Sequence, residues 1–140
     1  MNFTGPLEDR IAIRELCDQY CDATMSRDMD MWSETWASDG EWVRPGAVIK
    51  GRDAVVADAK KIVDSYSAGV FFCNLGRTHV TGDRATGRCY HVELFFFAEG
   101  PAWFLTYYDD EYSKIGDRWY FQRRSLTVTK KGKIGVSDPS

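Results

Sequence analysis

Three glycine-containing turns in the second half of the chain limit its architecture more than any other feature. Gly82-Asp83, Gly100-Pro101 and Gly116-Asp117 separate runs rich in aromatic and β-branched residues. Such runs between turn residues read as strands joined by hairpins. The spacing predicts strands near 71–81, 84–98, 102–114 and 118–129. Strands of this length twist and coil. The resulting sheet is curved, and its concave side needs a cover.

The first half supplies that cover. Pro6 can take a first helical position, with Glu8 and Asp9 favourable near the positive end of the helix. From there Ile13, Leu16, Cys17, Tyr20 and Thr24 recur at helical spacing as one apolar stripe. Asp18 and Asp22 project away from it, as surface charges. A second helix is expected after Asp28, carrying Trp32 and Trp36 and ending at Gly40, with a short strand over 41–44. A third is expected from an Asp53 cap to about Ser67, with Val55, Val56, Ala59, Ile62, Val63 and Tyr66 as its apolar face. Helices first and antiparallel strands afterwards is the α+β pattern. Helices laid across a coiled sheet enclose a cone, and a cone has an interior for a ligand.

Composition narrows the function classes. With 140 residues the chain is expected to form one domain, with 130–140 a flexible tail. Net charge is −3, and the one basic cluster, Lys130, Lys131 and Lys133, falls in that tail, so nucleic acid is not the expected partner. No apolar run approaches the roughly 20 residues that cross a bilayer, and no secretory leader is read at the N-terminus. The expected compartment is the cytoplasm, with Cys17, Cys21, Cys73 and Cys89 reduced. Cys17 and Cys21 lie one helical turn apart but lack the accompanying ligand spacing of a zinc site, so they read as buried thiols. No phosphate loop, nucleophile elbow or metal triad is present, and no cofactor or metal is expected.

Several segments resemble the SnoaL-like branch of the NTF2-like superfamily. They are Leu-Glu-Asp-Arg-Ile-Ala-Ile-Arg-Glu-Leu-Cys-Asp-Gln-Tyr at 7–20, Ser-Asp-Gly-Glu-Trp at 38–42, Lys-Gly-Arg-Asp-Ala-Val at 50–55, Val-Thr-Gly-Asp-Arg-Ala-Thr-Gly at 80–87 and Asp-Arg-Trp-Tyr-Phe-Gln-Arg-Arg-Ser-Leu at 117–126. The resemblance implies an NTF2-like cone: a strongly curved mixed or antiparallel sheet with three N-terminal helices enclosing a pocket. It also implies a homodimer or homotrimer formed through the outer sheet face. Its enzymes include scytalone dehydratase, hexachlorocyclohexane dehydrochlorinase and ketosteroid isomerase, most of which work by general acids and bases without a cofactor. In the dehydratase and dehydrochlorinase branch an Asp pairs with a His. A gap-free overlay puts Met25 and Val70 at those positions, where neither can carry a proton.

Other polar groups are candidates for the interior. Residues two apart on a strand share a face, and the small residues Ala85, Gly87 and Cys89 suit the tight concave side, which puts His91, Glu93 and Phe95 inside with them. There burial would raise the Glu93 pKa while its carboxylate favours an imidazolium at His91. A register slip by one would instead turn both outward. Tyr108 matches a substrate-contacting position of the scytalone dehydratase pattern and could donate to a carbonyl or phenolate oxygen, or be a core tyrosine. His91, Tyr108 and Glu93 are thus the catalytic candidates. Tyr20, Trp42, Arg44, Met25, Asn74 and Phe72 are the substrate-contacting ones; His79 reads as structural. The aromatic density favours a flat, apolar aromatic or polycyclic ligand. The expected activity is a cofactor-independent lyase or isomerase releasing water or a small aldehyde, or moving a proton. The rival is a non-catalytic binding module or a small structural subunit of an aromatic-ring dioxygenase.

Overall fold

A computed structural model describes residues 3–135. The elements run β1 (Phe3–Thr4), α1 (Leu7–Ser26), α2 (Met29–Ser33), β2 (Trp36–Arg44), β3 (Ala47–Lys50), α3 (Arg52–Asp64), β4 (Tyr66–Thr81), β5 (Arg84–Phe97), β6 (Gly100–Ile115) and β7 (Arg118–Lys133). The strands form one sheet in the order β1-β4-β5-β6-β7-β2-β3. β4 to β7 pair antiparallel, whereas β1 joins β4, and β2 joins β7, in parallel. This is the expected α+β fold with a curved, mixed sheet and helices over its concave side.

Helix α1 buries Ile13, Leu16, Cys17, Tyr20, Cys21 and Ala23, while Asp22 stays exposed. Pro6 is its cap and not its first turn, with φ −57° and ψ 140°. Its start is pinned to the β6–β7 hairpin by Asp9, whose Oδ1 accepts from Trp119 Nε1 at 2.9 Å and from Lys114 Nζ at 3.0 Å. At the far end Arg27 turns left-handed (φ 59°) and Asp28 caps α2 by accepting from the Met31 amide at 2.9 Å.

Three boundaries differ from the expectations. Trp36 and Gly40 belong to β2 and not to the second helix, which is one turn long. A Cβ at residue 40 would stand 3.1 Å from the Trp36 ring, so the residue permits close packing rather than ending a helix. Gly51, not Asp53, caps α3, and the chain enters β4 already at Tyr66. Lys130, Lys131 and Lys133 lie in β7, paired with Leu105, Phe104 and Ala102. The tail expected from residue 130 is therefore strand to 133, and residues 136–140 lie outside the described part. Gly132 sits there because any Cβ would meet the Trp103 indole at 2.7 Å.

The inward side chains form one core of aromatic character. Trp32, Trp36, Trp42 and Phe121 join Tyr20 of α1 in a chain of rings whose centroids lie 5.1–6.3 Å apart. Aromatic pairs at such distances add about 0.5–1.5 kcal/mol each beyond area burial.

Candidate active site

Along β5 the inward positions are Ala85, Gly87, Cys89, His91, Glu93 and Phe95. The order runs from small to large, and it grades the interior into a closed end and an open end. At the open end lies a cavity of about 220 Å³. α1 contributes Tyr20 and Thr24 to its wall, α3 contributes Ala59, Ile62 and Val63, and β2 contributes Trp42 and Arg44. The sheet closes it with Phe71, Glu93, Thr106 and Tyr108 among others. Gly69 shapes this wall: a Cβ there would stand 2.5 Å from the Phe95 ring, which instead lies over Tyr66 at 4.5 Å.

Glu93 is the carboxylate of the cavity wall. Burial pushes its pKa up to about 7, against the pull of Thr106, which donates to Oε1 at 3.0 Å, and of the Arg124 cation. The group therefore exists in both protonation states near neutral pH, as a proton carrier must. Tyr108 stands on the same sheet wall, on the neighbouring strand β6. Its hydroxyl accepts from Trp42 Nε1 at 3.1 Å and lies near the Tyr20 phenol. Burial holds that phenol at about 12. It remains a donor across the working pH range.

His91 is inside but does not line the cavity. It packs edge-on to Phe71 at 4.6 Å and lies 5.1 Å from the Tyr108 ring. Its Nδ1 is 3.9 Å from Glu93 Oε1, beyond hydrogen-bond reach, and neither ring nitrogen has a partner among the described residues. The imidazolium expected at this position does not form. Burial first, and the Arg124 charge second, drive the His91 pKa well below its ordinary value.

Arg44 lines the mouth, held by an ion pair with Asp58 of α3 and stacked on the Trp42 ring at 4.6 Å. Three expected ligand contacts are not in the cavity. Met25 is 41% exposed, Phe72 is 61% exposed, and Asn74 faces solvent with them. Thr24 and Phe71 hold the inward places that the gap-free overlay gave to Met25 and to Val70. On β4 the cause is an irregularity between Tyr66 and Ala68 that adds one residue and reverses which alternate side chains point inward. His79, on the rim of the sheet, makes a 3.1 Å hydrogen bond with Thr4 Oγ1.

The residue that sequence reasoning missed is Arg124. It is fully buried, and its Nε and Nη2 donate to the two Asp110 oxygens at 2.8 and 3.1 Å. The guanidinium lies 4.0 Å from the Tyr108 ring and 4.4 Å from the Tyr20 ring. It is thus the cation beneath the floor of the cavity. Its field lowers the His91 and Glu93 pKa values and draws both phenols down against burial. Among the described residues no group of three or more His, Cys, Asp or Glu is set to hold a metal ion. Nor is any helix long and apolar enough to cross a membrane.

Residues 5–125 match the SnoaL-like domain family. The chain belongs to that family. Its fold is shared with solved structures of low sequence identity. A single-site variant of Rv3472, a protein of unknown function from Mycobacterium tuberculosis, is 27% identical, with a TM-score of 0.79 over 90% of this chain and 77% of the other. The hexachlorocyclohexane dehydrochlorinase LinA-type3 of Novosphingobium barchaimii LL02 is 21% identical, with a TM-score of 0.83 over 95% of this chain and 97% of that one. A candidate scytalone dehydratase of Novosphingobium aromaticivorans DSM 12444 is 18% identical, with a TM-score of 0.82 over 94% of this chain and 91% of that one. Among curated proteins none matches.

Proposed function

We propose that this SnoaL-like chain is a cofactor-independent lyase or isomerase acting on a small phenolic or enolisable aromatic compound of one or two rings. The observation that carries the reading is Glu93, a carboxyl pushed up to about 7 by burial on the wall of an apolar cavity that also holds the Tyr108 phenol. A cavity near 150 Å³ lined by apolar groups holds a benzene ring. At about 220 Å³ this one suits a somewhat larger molecule, which favours one or two rings over a polycyclic ligand.

The ionised Glu93 takes a proton from carbon, and the electron pair moves through the substrate to an oxygen that receives the Tyr108 hydrogen bond. As the pair returns, either the same carboxyl delivers the proton to another carbon, which is isomerisation, or a hydroxide departs and leaves as water with that proton, which is dehydration. Trp42 and Tyr20 hold Tyr108 in place, and Arg124 stabilises negative charge developing near the two phenols. Thr106 orients the carboxyl through its 3.0 Å hydrogen bond, and the neutral His91 packs behind it without carrying the proton. Turnover of a panel of phenolic diols and ketones by Glu93→Gln and Tyr108→Phe tests the assignment. Unchanged rates in both variants overturn it.

The inward pair Thr24 and Phe71 favours a second reading, a pocket that binds an aromatic ligand without converting it. Thermal-shift screening of the same panel with product analysis separates the two. Assembly as a homodimer or homotrimer is part of the proposal, supported by the apolar outer face of the sheet, where Phe72, Val92, Tyr90 and Phe96 are 61, 54, 45 and 43% exposed. Four free thiols support a reducing compartment such as the cytoplasm.

A further inference from the structure

The cavity carries two charged side chains on its wall, and the proposed chemistry uses one of them. Glu93 belongs to β5 and Arg44 to β2, and the sheet sets β6 and β7 between them. Three interstrand steps of about 4.8 Å put their backbones roughly 14 Å apart before the side chains converge on the concave face. Arg44 therefore marks the mouth, away from the reacting wall. A cation beside aromatic and aliphatic groups is disfavoured unless a partner engages it.

The guanidinium is held in place with donors left over. Asp58 of α3 accepts from its Nη2. The group stacks on the Trp42 ring, 4.6 Å from the centroid. Trp42 is itself fixed, because its Nε1 donates to the Tyr108 hydroxyl at 3.1 Å. An arginine offers five N–H donors in a rigid fork. Here Nε is buried without a partner, and no hydrogen bond among the described residues occupies Nη1. The side chain is 25% exposed, which leaves the fork within reach of a molecule at the mouth. A planar, delocalised cation with parallel donors matches a carboxylate better than it matches a neutral oxygen. A tie between β2 and α3 alone requires no place on the cavity wall.

We propose, resting on the lyase or isomerase reading of this cavity, that its substrate is an aromatic acid whose carboxylate binds Arg44 at the mouth. The ring then lies along Trp42 and presents its far side to Glu93 and Tyr108. The ring also keeps the two negative groups apart. Asp58 holds the guanidinium before the ligand arrives, and the stacking on Trp42 keeps its plane while a second anion binds. A neutral analogue of the same shape fills the apolar space but leaves the spare donors unmatched.

The test uses para-hydroxylated benzoate, phenylacetate and cinnamate, each against its own primary amide, which has the shape without the charge. Isothermal titration calorimetry on the full chain at neutral pH gives the affinities, and the same mixtures are analysed for products. The best acid is expected to bind about 10- to 100-fold tighter than its amide, as a charge-assisted hydrogen bond allows. Arg44→Gln brings acid and amide to parity, and Arg44→Lys keeps part of the preference, since the charge remains without the fork. Asp58→Asn breaks the same ion pair yet keeps or enlarges the preference, because it removes a competing anion. A purely structural tie would make Asp58→Asn and Arg44→Gln behave alike. Far-UV circular dichroism reports the fold of each variant.

Equal affinities for acid and amide in the parent, binding of neither, or a preference that survives Arg44→Gln would each overturn the proposal. The comparison in the parent decides the question even where a variant fails to fold. Product analysis separates this outcome from that of the reading beneath it. Acids preferred but never converted would sink the lyase or isomerase reading and leave recognition of an acid standing. Conversion of the amides with no preference for the acids would sink the acid and leave the chemistry standing.

Discussion

The two ends of the cone bury polar groups in opposite ways. At the closed end, beside Ala85, Gly87 and Cys89, Asp110 accepts from Arg124 Nε and Nη2 and from the Tyr112 hydroxyl at 2.8, 3.1 and 3.0 Å. Both members of that ion pair are fully buried, and both carboxylate oxygens are engaged. At the open end Glu93 has one hydrogen-bond donor, Thr106, and His91 has no partner on either ring nitrogen among the described residues. A buried polar group left unpaired costs about 1–3 kcal/mol. The closed end pairs its carboxylate fully and leaves one guanidinium nitrogen, Arg124 Nη1, without a partner among the described residues, whereas the open end leaves both nitrogens of its imidazole so.

The largest expected effect comes from breaking the closed end. Arg124→Met leaves the Asp110 carboxylate buried opposite an apolar chain, and removing one member of such a pair costs about 3–5 kcal/mol. For a chain of this size that lowers the unfolding midpoint by roughly 10 °C or more. Thermal and urea unfolding measure it. A loss under about 1 kcal/mol would mean that the ion pair is not the keystone of this end.

At the open end the same logic predicts chemistry lost without stability lost. Glu93→Gln should lower turnover about 10²–10⁴-fold, the usual worth of a positioned acid or base, while unfolding at neutral pH changes little or moves upward. The pH dependence has a definite sign. The Glu93 pKa is raised from 4.5 in the unfolded chain to about 7 in the fold, so the neutral carboxyl stabilises the fold fully below about 4.5. That contribution declines as pH rises, and it is gone once pH passes about 7. At about 1.4 kcal/mol per pH unit the slope amounts to a few kcal/mol across the window. Unfolding free energies of the parent and of Glu93→Gln between pH 4.5 and 7.5 should therefore diverge in slope. Parallel curves would place the titration elsewhere. Tyr108→Phe removes the donor proton and is expected to cost about 10²-fold in turnover, read in kcat more than in KM.

How much of this contrast the sequence discloses depends on bulges. On β5 the small residues Ala85, Gly87 and Cys89 fix which side is concave, no pairing irregularity interrupts the strand's ladders from 84 to 97 on the β6 side, and alternation carries His91 and Glu93 inward as read. On β4 alternation fails. The extra residue near Ser67 turns Phe71 and Cys73 inward and leaves Phe72 and Asn74, expected as ligand contacts, facing solvent. Arg124 was hidden by the same device. Trp119 and Phe121 are buried, and counting by two from them points to Arg123, yet the irregularity at Glu111/Tyr112 shifts the register and sends Arg124 inside instead. One inserted residue reverses every side chain beyond it, and neither Ser67 nor Gln122 announces itself in composition. The aromatic surplus was legible as a core; which rings bound a cavity depended on these reversals.

The smallest effect tests the contrast most finely. His91→Leu replaces an imidazole with an apolar side chain of similar bulk. If both nitrogens stand unpaired in the empty protein, the exchange removes a desolvation cost and leaves stability unchanged or higher by about 1 kcal/mol. The same exchange at a satisfied histidine would lower stability by about 1–3 kcal/mol, because hydrogen bonds would be lost along with it. Urea unfolding of the two proteins at pH 7.5 distinguishes the cases, since burial keeps His91 neutral there. Repeating the measurement with a saturating aromatic ligand sharpens it further. A parent that gains more from the ligand than His91→Leu does would show that the ligand, directly or through the Glu93 carboxyl, completes the imidazole. Equal gains would confine the ligand's polar contacts to Glu93 and Tyr108 and leave the imidazole as packing.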